Sequence, residues 1–163
     1  MEGRQLISRE EMTAKIRAAV HARRDPDTVL IARTDAVAVT GFDDACQRAA
    51  ACRDAGAGVI FVEALQTPEQ VQSAAARVGA PLMANMVEQA PLDTADRLFS
   101  MGFRIAIYPA APLYAATKAA GDLLRETGDL RPCMEREVDF SAFNCMIGLE
   151  ELRALEASFS PRG

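Results

Sequence analysis

Four short runs, Val29–Arg33, Val59–Glu63, Pro81–Asn85 and Arg104–Tyr108, each close on a polar or charged residue and are separated by segments with helical periodicity. The first two are almost continuously apolar, as expected of strands buried on both faces of a parallel sheet. Strand alternating with helix, four times over, implies parallel pairing with helices as crossovers. This rhythm is that of half a β/α barrel. In such barrels ligands bind at the C-terminal ends of the strands, so Arg33, Asp35, Glu63, Asn85 and Tyr108 become spatial neighbours. They form the candidate site.

Length sets the extent of the barrel. A closed eight-stranded barrel takes about 250 residues, whereas this sequence has 163, enough for one domain with a real core. The expected organisation is a half barrel over residues 1–128, with strands near 29–33, 59–63, 81–85 and 104–108. A helical extension over 129–163 would pack outside the barrel or across a subunit interface.

The helices carry their own signals. Ser8-Arg9-Glu10-Glu11 fits a capping box, in which the Ser oxygen and the Glu carboxylate both satisfy exposed N–H groups. It opens a helix to about Arg23 with Met12, Ile16, Ala19 and Val20 on its apolar face. A second, alanine-rich helix covers Phe42 to Ala55. Thr67-Pro68 starts a third, because proline at the first helical position loses no hydrogen bond; it runs to about Val78. Helices near Thr94–Met101 and Leu113–Glu126 follow, the latter with Leu113, Ala116, Ala120 and Leu124 on one face. In the extension, Phe140, Phe143 and Met146 recur at helical spacing, before a last helix near Leu149–Phe159.

Composition narrows the function classes. A net charge of -5, without a basic stripe interleaved with aromatics, argues against nucleic acid. No apolar run approaches the roughly 18 residues of a membrane span, and Met1-Glu2-Gly3-Arg4 lacks a signal-peptide core, so no membrane partner is expected and the location is read as cytoplasmic. Cys46, Cys52, Cys133 and Cys145 follow no C-x-x-C spacing, and His21, the one histidine, has no metal-ligand partner in sequence. The cysteines read as reduced structural thiols and His21 as a solvated cation near a helix end.

Four segments together carry a resemblance: Ile31-Ala32-Arg33-Thr34-Asp35-Ala36, Gly56-Ala57-Gly58-Val59-Ile60-Phe61-Val62-Glu63-Ala64, Ala84-Asn85-Met86-Val87-Glu88 and Ile107-Tyr108-Pro109. In order and spacing the chain resembles the isocitrate lyase and phosphoenolpyruvate mutase superfamily, in the branch of methylisocitrate lyase, dimethylmalate lyase and carboxyphosphonoenolpyruvate mutase. The resemblance runs through nearly the whole chain and implies the C-terminal half of a TIM (β/α)8 barrel. It implies carbon–carbon cleavage of a 2-hydroxy or 2-oxo dicarboxylate through an enolate stabilised by Mg2+, and a last helix exchanged between subunits.

Residue by residue, the resemblance makes Arg33 the receptor of a substrate carboxylate or enolate oxygen. A guanidinium fork suits that task, since it can donate two parallel hydrogen bonds to one carboxylate. Glu63 and Asn85 match substrate-pocket residues, and Asp35, Glu88 and Tyr108 stand behind them as supporting candidates. Without the resemblance, Arg33 and Asp35 would read equally as a plain ion pair at a strand end, and Glu63 as a cap of the following helix.

By the resemblance, the family's metal-binding aspartates and its Cys-Gly-His loop lie ahead of the stretch Glu2-Gly3-Arg4-Gln5-Leu6-Ile7, so no metal ligand and no catalytic acid or base is assigned within this sequence. Tyr114 stands where methylisocitrate lyases carry an arginine, Val87 where they carry a threonine, and Gln89-Ala90-Pro91 replaces a longer loop. These departures weigh against methylisocitrate as the substrate. Three roles are open: a lyase or decarboxylase half that needs a complementary N-terminal half, an inactive fragment that associates with a complete relative, and a homo-oligomer in which two halves close one barrel.

Overall fold

The computed structural model describes residues 5–87, 94–125 and 137–159. The chain divides into two compact units, Met1–Pro112 and Leu113–Gly163. The boundary expected near residue 128 lies outside the described residues.

The first unit is a four-stranded parallel sheet in the order β1-β2-β3-β4. The strands are β1 (Ile31–Thr34), β2 (Val59–Val62), β3 (Leu82–Asn85) and β4 (Phe103–Ile107). Helix α1 (Arg9–Ala22) precedes β1, and α2 (Phe42–Asp54), α3 (Pro68–Val78) and α4 (Ala95–Ser100) connect consecutive strands. Sequential parallel strands with helical crossovers are the construction of a β/α barrel, here through four of its eight units.

Alternation along the strands separates two faces. Ala32, Ile60, Val62, Leu82 and Phe103 point to the helices and form the core with Val71, Ala74 and Val78 of α3 and Leu98 of α4. Fully burying such side chains contributes roughly 1.5–3 kcal/mol each. The opposite face carries Ile31, Arg33, Phe61, Met83 and Ile105. Register places Arg33 beside Phe61, Phe61 beside Met83, and Met83 beside Ile105 across an irregularity at Leu82/Met83.

This second face corrects one expectation. β1 alternates between exposed and buried, and Val29 and Ile31 are 60% and 45% exposed. β1 pairs with β2 alone among the described strands, and along Val29–Ala32 the odd positions stay exposed while Ala32 is buried. β2, flanked by strands on both sides, is buried at all four positions.

Local chemistry sets the element ends. Ser8 Oγ accepts from Glu11 N at 3.1 Å, but the Glu11 carboxylate pairs with Lys15 at 2.8 Å one turn on, so only half of the expected capping box forms. Ile16 is buried, whereas Ala19 faces solvent. Thr67 caps α3 through Gln70 N at 3.2 Å, with Pro68 in the first turn as expected. Gly56, at φ +105, lets the turn into β2 approach α1 closely: a Cβ there would lie 2.8 Å from Val20 Cγ2.

The second unit holds most of α5 (Ala111–Arg125), with α6 (Phe140–Met146) and α7 (Leu149–Phe159). Asp139 caps α6 by accepting from Ala142 N at 2.9 Å. None of these helices buries a residue, and Leu113, Leu124, Phe140, Met146, Leu155 and Phe159 are exposed. No described helix is long and apolar enough to cross a membrane.

Candidate active site

Arg33 leaves β1 on the inner face, and its guanidinium is held from three sides. Asp35 takes one edge with two hydrogen bonds, Nε to Oδ2 and Nη2 to Oδ1, both 3.0 Å. The ring of Phe61, its neighbour across the sheet, lies 5.0 Å from the guanidinium carbon. Glu63 brings Oε2 to 3.5 Å from Nη2, an ion-pair contact without a hydrogen bond. The hydrogen bonds that Arg33 donates to Asp35 raise its pKa above the ordinary value, against the opposing effect of burial. The group is a permanent cation.

The carboxylate of Glu63 stands where β2 ends, and its backbone N–H donates to Thr34 O at 3.0 Å, which fixes the strand end against β1. The next residue, Ala64, has φ +63, a left-handed conformation that costs an L-residue roughly 1–2 kcal/mol. Just beyond that residue Leu65 packs on the core, while Glu63 meets Arg33. Glu63 is no helix cap, because Thr67 fills that position.

Two buried side-chain oxygens, Glu63 Oε2 and Asn85 Oδ1, lack any hydrogen-bond partner among the described residues. Both residues line a cavity of ≈ 360 Å³ with Phe61, Met86, Leu98 and Phe103. A buried acceptor left unpaired costs about 1–3 kcal/mol, so the cavity is chemically suited to a ligand that donates hydrogen bonds. Arg33 and Asp35 open instead to a second cavity of ≈ 420 Å³, shared with Leu6, Arg9 and Arg48. The Arg33–Glu63 contact thus joins residues that line separate hollows.

Of the other candidates, Tyr108 follows the last residue of β4, is 50% exposed, and lines neither cavity. Glu88 lies outside the described residues. Sequence reasoning misses Phe61, although its position two residues before Glu63 puts it on the same face. It also misses Arg48, which donates to Asp44 at 2.7 Å and to Ile7 O at 2.7 Å, so that it ties α2 to the segment before α1. The Asp44–Arg48 spacing of four is the available signal.

Magnesium can be tested against these residues. Among the described residues no group of three or more His, Cys, Asp or Glu side chains is placed to hold a metal ion. The two carboxylates nearest the site, Asp35 and Glu63, already face a guanidinium whose charge repels a divalent cation. They do not fit a magnesium ion.

A row of parallel strand ends bearing a fixed guanidinium beside buried acceptors without hydrogen-bond partners among the described residues has the architecture of the β/α-barrel class. Family comparison makes the assignment definite: residues 1–127 match the phosphoenolpyruvate phosphomutase model, and the chain belongs to the isocitrate lyase and phosphoenolpyruvate mutase superfamily. It is 39% identical to 2,3-dimethylmalate lyase of Eubacterium barkeri over 98% of its own length and 57% of that protein's. It superposes on oxaloacetate acetylhydrolase in complex with 3,3-difluorooxalacetate with a TM-score of 0.81 and 34% identity, covering 100% of this chain and 57% of the other. Phosphonopyruvate hydrolase in complex with oxalate and Mg2+ gives a TM-score of 0.82 and 28% identity, over 98% and 60%. The chain spans about half the length of the curated relatives it matches, in keeping with a partial barrel.

Proposed function

We propose that this chain supplies the carboxylate-recognition side of a carbon–carbon lyase or decarboxylase acting on a 2-hydroxy or 2-oxo dicarboxylate. The observation that carries this reading is the fixed guanidinium of Arg33 at a strand end, in a 3.5 Å ion-pair contact with a Glu63 oxygen that, like Asn85 Oδ1, is buried and has no hydrogen-bond partner among the described residues. Arg33 would bind a substrate carboxylate or the oxygen on which negative charge grows as the bond breaks, where a preorganised cation is most effective. Glu63 and Asn85 would accept hydrogen bonds from the substrate. Magnesium, implied by the family and held with oxalate by the phosphonopyruvate hydrolase above, would take its ligands from other parts of a full-length barrel.

For the exposed apolar residues of α5, α6 and α7 we propose contact with a partner subunit, because helices that bury none of their described apolar side chains lack the usual source of stability. A second functional reading rests on the metal test: a chain whose described residues do not fit the metal acts as an inactive fragment that associates with a complete relative or with itself.

The experiment is a turnover assay on a panel of 2-hydroxy and 2-oxo dicarboxylates with Mg2+, for the chain alone and mixed with the N-terminal half of the Eubacterium barkeri relative. Release of a 2-oxo acid or carbon dioxide that is lost in Arg33→Ala is the expected result. A folded mixture in which the halves associate but turn over no acid favours the inactive fragment.

A further inference from the structure

Resting on the reading of Arg33 as a carboxylate receptor, we propose that Phe61 is a positioning residue for it, a π platform that works with Asp35 to present the Nη1/Nη2 edge of the guanidinium. Arg33 is 46% exposed at its side chain, and an arginine so exposed has considerable rotamer freedom to lose on binding. Here that freedom is already restricted. Asp35 holds the Nε/Nη2 edge in a two-bond fork, and the guanidinium carbon stands over the Phe61 ring, 5.0 Å from its centroid.

These contacts constrain different motions. The fork holds one edge of the guanidinium against Asp35, whereas the ring face attracts the cation and opposes its movement away from β2. Together they leave the Nη1/Nη2 edge without a hydrogen bond from Nη1 to any described residue, Nη2 being shared with the 3.5 Å contact to Glu63. A carboxylate could then bind without displacing Asp35.

Phe61 is itself well fixed. It is the direct register partner of Arg33 and only 5% exposed. It is absent from the cluster that packs against the helices, and its ring meets the Arg33 guanidinium while also lining the ≈ 360 Å³ cavity.

The test is NMR of the arginine Nε–Hε groups in the unmutated chain, with the Arg33 signal assigned by its loss in Arg33→Lys. Nuclear Overhauser contacts between the Arg33 side-chain CH2 protons and the Phe61 ring are expected, with Hε protected from exchange by Asp35. Phe61→Leu keeps apolar volume but removes the π face. It should raise Hε exchange by about two- to fivefold, the size of a cation–π contact at a half-exposed site, while the β2 backbone amides stay protected. Unchanged Hε exchange in folded Phe61→Leu overturns the proposal. Should that variant not fold, absence of the ring contacts in the unmutated chain overturns it equally. Oxalate added to the same samples keeps the two readings apart: a protected, ring-contacting Hε that oxalate leaves unshifted supports the platform and counts against the receptor.

Discussion

The two faces of the sheet are built from the same strands and do opposite things. The helix-facing side buries Ile60, Leu82 and Phe103 at 0–1% exposure and contains almost no polar group. The other side, offset by one residue along each strand, holds Arg33, Asp35, Glu63 and Asn85, and two of its buried acceptors lack hydrogen-bond partners among the described residues. Period-two alternation therefore segregates stability from chemistry with no change of backbone. Side chains on the first face are chosen to fill space, and those on the second to leave bonds unmade.

The largest expected effect breaks the first face. Phe103→Ala should cost about 3–5 kcal/mol, since removal of a fully buried aromatic loses both transfer energy and packing. Ile31→Ala, at an exposed inner-face position, should cost less than about 1 kcal/mol. Urea unfolding followed by circular dichroism measures both, and equal losses would dissolve the distinction between the faces.

Next in size is Gly56→Ala. The positive φ and the overlap with Val20 Cγ2 should together destabilise by about 1–3 kcal/mol, read as a lower urea midpoint with unchanged slope. Loss of the α1 contact would also appear as faster amide exchange in α1.

Acid sensitivity sharpens the comparison in another way. The Asp44 carboxyl lies below its ordinary value of 3.8, chiefly because the Thr40 hydroxyl and then Arg48 hydrogen-bond to it. A carboxyl that holds its proton less tightly when folded adds stability above pH 3.8, and this is lost as pH falls through the lower folded value. Asp44→Asn should therefore flatten the stability profile below about pH 4 while lowering the plateau at neutral pH. An unaltered acid limb would show that Asp44 does not tie α2 to the N-terminal segment through Arg48.

The smallest effect is expected at Ala64. Glycine relieves the left-handed strain but adds freedom to the unfolded chain, so Ala64→Gly should change stability by no more than about 1 kcal/mol, toward greater stability. A marked loss by the same urea measurement would mean that the Ala64 methyl makes contacts that outweigh the strain.

Much of this is legible in the chain. The four strands, their parallel order and the placement of Arg33, Glu63 and Asn85 at strand ends follow from apolar runs punctuated by polar residues, and family motifs reinforce them. Thr67 and Ser8 announce helix starts because capping depends on neighbours close in sequence. What escapes depends on distant partners. Nothing in Val29–Ala32 tells that its odd positions stay exposed, Phe61 reads as core until register sets it under Arg33, and an alanine gives no notice that it will adopt positive φ. The diversion of Glu11 to Lys15 shows a local competition that capping rules alone do not resolve.

The central claim, that the inner face recognises a carboxylate through Arg33, is tested most directly by isothermal calorimetry of the folded chain with oxalate, with and without Mg2+. Measurable binding that weakens by about tenfold or more in Arg33→Ala, some 1.4 kcal/mol, is the predicted result. No heat of binding from a folded chain, or affinity unchanged in Arg33→Ala, would contradict it.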